Sequence, residues 1–254
     1  MSAVELVDTE EHCRQVCQDV LQQDEVAVDI EGVDLSRHGE ICVMQIAKRT
    51  GPVFLIDITT LGETAFSFGL RDVLESEQLA KLFFDCTCDA DALYHLWHVL
   101  PRHVLDMQVL HEKATGNRND RVRGLAKVLP QFLHPSGLEE AGRVKEAGLA
   151  LFAPEKGGSY EVWKTRPLAW ALQKYCAQDV QHLFMMKDRW SSCLSTNLRA
   201  VSERRMLRQA RDACFTKGPH RSLKDFAFTD DRLTLPDYSA IVEADDPETK
   251  RRRL

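Results

Sequence analysis

The run Val26-Ala27-Val28-Asp29-Ile30-Glu31-Gly32 has the composition of a buried β-strand into which two acids have been set. Strand side chains alternate with period two, so Val26, Val28 and Ile30 share one face and Ala27, Asp29 and Glu31 the other. Two carboxylates at one strand end of an apolar segment require a cation or solvent to meet them. For this pair alone, a solvent-facing edge is an adequate explanation.

The neighbouring sequence extends the sheet on both sides. Strands are predicted at Val26 to Glu31, Ile41 to Lys48 and Val53 to Ile58, with only Ser36-Arg-His-Gly39 and Arg49-Thr-Gly-Pro52 between them. Connections this short make an antiparallel meander, because a parallel crossover needs a dozen or more residues. The pattern then alternates: a helix over 66–76, a strand Lys81-Leu-Phe-Phe84, a helix over 88–99, a strand over 103–106 and a helix over 107–115. Such βαβα order builds a parallel half. Together they predict an α/β fold with a mixed five-stranded sheet flanked by helices.

A helix over 9–22 precedes the meander, with Asp8 and Glu11 spaced as a capping box. Residues 116–166 read as less regular, with a turn at Gly116-Asn-Arg-Asn-Asp120, helical character over 123–132 and a loop from Ala153 to Tyr160. Pro167 suits a first helical position and opens a long helix to about Trp190. An Arg-rich helix over 192–214 follows, then an acidic segment and Lys250-Arg-Arg-Arg253. Residues 1–190 thus form the main domain, and 191–254 a C-terminal helix with a mobile tail.

The chain has 254 residues, is 44% hydrophobic and 28% charged, and carries a formal net charge of −6. Mild acidity neither advertises nucleic-acid binding nor excludes a local basic groove. The eight cysteines include no CxxC pair with zinc spacing. No N-terminal signal is recognisable, and no stretch approaches the ~20 apolar residues of a membrane span. The expectation is a reduced intracellular protein, cytoplasmic or nuclear, with no membrane partner. Ser and Cys nucleophile motifs are absent, which argues against acyl-transfer hydrolysis.

Two further carboxylates face inward. One turn before the apolar stripe Ala92, Leu93, Leu96 and Leu100 lies Asp89, whereas Asp91 shares a more exposed side with His95 and His98. Asp85 and Asp91 are therefore weaker candidates than Asp89. A carboxylate in a first turn also serves the helix dipole, for about 0.3–1 kcal/mol. Asp179 falls in the stripe Leu168, Leu172, Tyr175, Cys176 and Leu183, four residues after Tyr175. A structural ion pair explains any one such Asp. Four inward acids from three separated elements are harder to explain that way. Hard oxygen donors suit Mg²⁺ or Mn²⁺, and two such ions can clamp an in-line phosphoryl displacement.

At these residues the chain resembles the DEDD superfamily of 3′–5′ exonucleases, in the subgroup with tyrosine in its third motif. Asp29-Ile-Glu31 matches the first motif, Asp89 the second and Tyr175-x-x-x-Asp179 the third. Lys81-Leu-Phe-Phe-Asp-Cys, Val104-Leu-Asp106-Met-Gln108 and Trp163-Lys-Thr-Arg166-Pro167-Leu168 are similar to the ribonuclease D and Egalitarian-like branch, which includes piRNA-pathway exonuclease-domain proteins. The resemblance covers about residues 4–190 and implies a ribonuclease-H-like fold. It implies two divalent ions, Mg²⁺ or Mn²⁺, with Asp29 bridging both, Glu31 and Asp179 completing one site and Asp89 holding the second. Tyr175 with Glu31 would orient the attacking water, releasing nucleoside 5′-monophosphates from the 3′ end of a single strand, RNA ahead of DNA. The competing class is a weakly catalytic RNA- or protein-binding scaffold, as in Egalitarian-like members that have lost acids; this sequence keeps them all. Two departures stand out: Gly137 to Gly158 is long and rich in Gly and Ala, and Phe84 replaces a frequent His.

Substrate contacts are assigned to Gly32, Arg121, Arg123, Lys164 and Arg166. Arg118, Arg121, Arg123 and Lys127 form one basic cluster, and Lys164, Arg166 and Lys174 another; both have the character of phosphate tracks, although Arg166 also suits an anchor for the loop before Pro167. Asp106 is expected to be structural. The tryptophans are expected in the core, the histidines in surface or satisfied core roles, and Arg199, Arg204, Arg205, Arg208 and Arg211 on a solvated or partner-facing helix surface. Lys250 to Arg253 reads as a solubilising tail or an import signal.

Overall fold

Strand β2 (Glu25–Val33) lies inside the sheet of the computed structural model, which describes residues 3–116, 120–212 and 234–238. In chain order β1 (Val4–Val7) and α1 (Glu10–Val20) precede it. The meander continues with β3 (Glu40–Ala47) and β4 (Val53–Asp57). Short helical segments α2 (Ile58–Leu61), α3 (Glu63–Ala65) and α4 (Arg71–Glu75) lead to β5 (Ala80–Phe83). Then come α5 (Thr87–Trp97), β6 (Val104–Asp106), α6 (Met107–Thr115) and α7 (Leu125–Val128). The helices α8 (Pro135–Phe152), α9 (Trp170–Gln181), α10 (Leu183–Arg189) and α11 (Thr196–Arg211) complete the order.

The sheet runs β1-β4-β3-β2-β5-β6. The β2-β3 and β3-β4 pairs are antiparallel, while β2-β5 and β5-β6 are parallel. The mixed architecture is as expected, but there are six strands, not five. The sixth is β1, which pairs parallel with β4 in the register Val4↔Val53 to Val7↔Ile56. Four residues with one internal acid carry little alternation, and their partner lies far along the chain.

Both faces of the sheet are covered. Val26, Val28 and Ile30 join Met44, Ile46 and Ile56 in one core cluster under α1 and α5. Ala27 joins Val43, Ala47 and Leu55 in the other, with Leu172, Cys176 and Val180 of α9. Each large aliphatic side chain removed from water contributes roughly 1.5–3 kcal/mol, which fixes the strand's facing. Asp29 and Glu31 consequently project toward α9.

Several helix boundaries differ from expectation. Thr9, not Asp8, caps α1, its hydroxyl accepting from the His12 N–H. The stretch 135–152 is a continuous helix despite Gly137, Gly142 and Gly148. The long helix expected from Pro167 begins instead at Trp170 and breaks at His182 into α9 and α10. Arg166 binds Asp57 and several backbone carbonyls just before it, which holds the Pro167 segment out of the helix. Trp163 is fully buried, whereas Trp170 is 58% exposed and therefore not a core residue. Among the described residues no helix is long and apolar enough to cross a membrane. Arg118, Cys214 and the Lys250–Arg253 run lie outside the described residues.

Helix α11 closes the β6 edge of the sheet. The Val104 N–H donates to Glu203 Oε1 (3.2 Å) and the Asp106 N–H to Ser202 Oγ (3.1 Å). Arg205, expected on the helix surface, is buried and paired with Asp106 (2.6 Å) and Asp85 (3.0 Å). The polar face of this helix thus replaces a further strand. Glu203→Ala leaves the buried Val104 N–H without an acceptor, and its stability in urea should fall by about 1–3 kcal/mol.

Candidate active site

Asp29 and Glu31 reach the cleft because β2 ends there, and a bulge between Glu31 and Gly32 shifts the register against β3. A Cβ on Gly32 would lie 1.9 Å from the Glu40 carbonyl oxygen. Gly32 is therefore required for strand approach. Across the cleft floor, α9 packs on β2 and β3 and presents Tyr175 and Asp179 one turn apart.

Carboxylate oxygens of Asp29, Glu31 and Asp179 lie within 4.8 Å of one another. All three residues are half-buried along a cleft of about 750 Å³, whose other walls include Phe84, Asp85, Gln108, Arg121, Leu125, Lys127, Lys145 and Tyr175. Asp89, in the first turn of α5, is buried and stands outside this trio. Its charge still reaches both Asp29 and Glu31.

Burial raises the Asp29 carboxyl well above its ordinary range, and Asp89, Asp179 and Glu31 push it further. Glu31 is raised by burial and by Asp179 and Asp89. Burial pushes Asp179 up to about 7, opposed by the positive charge of Lys145. The Tyr175 phenol is raised by burial and by the Asp179, Glu31 and Asp29 carboxylates, so it stays protonated across the neutral range.

The trio contrasts with other buried acids of the fold. Asp57 is paired with Arg166, Asp91 with Arg37, Asp106 with Arg205, and Glu25 with Arg49 and Lys187. Among the described residues, Asp29, Glu31 and Asp179 make no ion pair with any side chain. Buried carboxylates persist in that state only when a cation compensates them or when they are protonated. An all-oxygen donor set of this kind fits a hard divalent cation.

Tyr175 is held by packing. Its ring meets Phe152 edge-on at 5.1 Å and lies 6.3 Å from Trp163. Gly148 of α8 faces it so closely that a Cβ there would sit 2.6 Å from Tyr175 Cδ2. Glycine in the helix therefore makes the notch that seats the phenol.

Other expectations are corrected. Asp91 is fully buried, not exposed, because the Arg37 backbone N–H (2.7 Å) and guanidinium (2.6 Å) bind its carboxylate. Arg166 donates to Asp57 Oδ1 (2.6 Å) and to the carbonyls of Trp163, Thr165 and Cys42, leaving no free edge for a phosphate. Lys164 is paired with Glu40 (2.6 Å) and Glu161 (3.3 Å) and does not line the cleft. Arg121 lines the cleft and, with Arg123, an adjoining depression of about 420 Å³. Asp85 lines the cleft with φ 64°, bound by Arg205. Sequence reasoning missed Lys145 and Gly148, both on α8; the lone signal for them was the unusual Gly- and Ala-rich composition before Trp163.

Raised carboxyl values give a definite sign. A group with a higher value in the folded state stabilises the fold at low pH, and that contribution is lost as pH rises. For Asp179 the loss spans its ordinary value of 3.8 to about 7. In chelator, wild-type stability should therefore fall between pH 5 and pH 8 more steeply than that of Asp29→Asn. Mn²⁺ should restore the wild type at pH 8 and not the variant, measured by thermal melting. Equal pH slopes and equal metal responses would remove the charge-cluster account.

Comparison with known proteins accords with this geometry. A family model described as 3′–5′ exonuclease matches residues 4–192. The piRNA biogenesis protein EXD1 of Mus musculus is 30% identical over 182 residues, which is 66% of this chain and 29% of the mouse protein. The chain thus spans less than a third of that relative's length. RNase D of Trypanosoma brucei, in its GMP complex, superimposes with a TM-score of 0.71 at 23% identity, over 85% of this chain and 67% of that one. Its complex with RNA U12 gives 0.65 at 23%, over 87% and 79%. At such identity the likeness establishes the fold.

Proposed function

The chain belongs to the 3′–5′ exonuclease family of the DEDD superfamily, and from that premise we propose that it hydrolyses single-stranded nucleic acid from the 3′ end to nucleoside 5′-monophosphates, with RNA ahead of DNA. The observation that carries this reading is the uncompensated trio Asp29, Glu31 and Asp179 beside Tyr175 in an open cleft. The complex of the similar RNase D with RNA U12 supports RNA as the polymer.

Asp29, Glu31 and Asp179 would hold one divalent ion, Mg²⁺ or Mn²⁺, and Asp89 would help to hold a second. Bound there, such ions neutralise charge on the phosphate and activate water at neutral pH. Tyr175, fixed as a protonated phenol, hydrogen-bonds the incoming water, and Glu31 receives its proton. The water oxygen forms the new bond to phosphorus as the bond to the 3′-oxygen of the preceding nucleotide breaks, and that oxygen takes a proton from solvent to become the hydroxyl of the shortened strand. Arg121 and Arg123, which line the depression adjoining the cleft, receive upstream phosphates in this reading. The nuclease domain covers residues 1–190, with α11 braced against it.

The test is a 5′-labelled RNA oligonucleotide and its DNA counterpart, incubated with purified protein in Mg²⁺ or Mn²⁺. Stepwise shortening from the 3′ end is expected, abolished in Asp29→Asn with its melting transition intact. Tyr175→Phe should lower kcat about 10²-fold or more while metal and substrate binding persist. Gly148→Ala should mimic it in part by displacing the ring. Binding without cleavage of any substrate in either metal would establish the scaffold reading instead.

A further inference from the structure

Lys145 is a half-buried cation on the wall of the carboxylate cleft. Among the described residues its ammonium makes no hydrogen bond and no ion pair, although its field reaches Asp179. Among the described lysines Lys127 and Lys174 share this lack of a hydrogen bond and ion pair, whereas four others are paired with acids. Lys48 is paired with Asp19, Lys156 with Glu146, Lys164 with Glu40 and Lys187 with Glu25.

A lysine here weakens the cleft's attraction for divalent cations, since like charges compete for the same carboxylates. Partial burial adds a desolvation cost. No salt bridge among the described residues repays either cost, although the field Lys145 shares with Asp179 offsets part of it. Both are offset if an anion enters the cleft beside the trio. The helix that carries Lys145 is placed by the contact that seats Tyr175, since Gly148 lies less than one turn further along α8. Phenol and ammonium are therefore set by one rigid element. The Lys127 side chain also lines the cleft and, among the described residues, makes no hydrogen bond or ion pair; it borders the adjoining depression with Arg121 and Arg123.

We propose that Lys145 is the phosphate-binding residue of the cleft: its ammonium contacts a non-bridging oxygen of the 3′-terminal phosphodiester, and Lys127 receives the next phosphate upstream. The assignment rests on reading the cleft as the hydrolytic site. In that site Lys145 carries negative charge on the phosphate as the bond to the 3′-oxygen breaks, and takes no proton.

A binding cycle that needs no turnover tests it. The probe is a fluorescein-labelled single-stranded oligonucleotide, with its 3′-terminal linkage either a normal phosphodiester or a neutral methylphosphonate, in Ca²⁺. Replacing the charged linkage should weaken binding to the wild type about tenfold, the worth of one charge-assisted contact. The same replacement should cost Lys145→Met several-fold less than the wild type, because the ammonium contact is already gone and only the metal contacts are left to lose. Lys145→Arg should retain most of the wild-type difference. Affinity for Mn²⁺ alone should be equal or tighter in Lys145→Met. Equal losses in wild type and Lys145→Met would overturn the proposal, as would weaker Mn²⁺ binding in the variant. A wild type that binds but cleaves nothing defeats the exonuclease reading alone, since the cycle still decides the contact.

Discussion

Mutual repulsion among Asp29, Glu31 and Asp179 is the constraint around which this protein is organised. Their oxygens converge within 4.8 Å with, among the described residues, no side-chain cation bound to them. At an effective dielectric of about 20, two unit charges 4 Å apart interact by roughly 4 kcal/mol. An unsupported loop would relax such an arrangement by moving apart. Here two acids stand on an internal strand with neighbours on both sides, and the third on a helix anchored by Leu172, Cys176 and Val180. The rigidity of the core is what keeps the charges together.

The elements around the cleft are tied by buried ion pairs that themselves do no chemistry. Arg205 binds Asp106 and Asp85, and Asp85 Oδ1 in turn accepts from the Thr87 hydroxyl at 2.8 Å. This chain of contacts runs from α11 to the first turn of α5, where Asp89 sits. Arg166 ties the segment before α9 to Asp57 at the end of β4. Arg37 ties the β2-β3 connection to Asp91 on α5. Removing one partner of such a pair leaves a buried charge uncompensated, which makes these arginines structural despite their phosphate-like reach.

Alternation and helical spacing made much of this legible. Period two placed Val26, Val28 and Ile30 on one face, and the four-residue step joined Tyr175 to Asp179. What stayed hidden depended on partners distant in sequence. The strand Val4–Val7 exists because β4 offers an edge. The inward turn of Asp91 depends on Arg37, and the burial of Arg205 on Asp106. Helix α8 defied its composition for a related reason: Gly148, unfavourable in an isolated helix, is needed by the ring it accommodates. Lys145 escaped notice with it, since a residue in a stretch read as irregular has no predictable face.

Helix α11 has a further effect on how molecules of this protein meet one another. An outer strand with bare N–H groups is a template on which another chain can pair, and it invites association in crowded solution. The Val104 and Asp106 N–H groups are occupied by Glu203 and Ser202 of the same molecule. An incoming strand would find those donors taken and a helix in its path. The sheet therefore stops growing at β6, and self-association by strand addition is barred on that side.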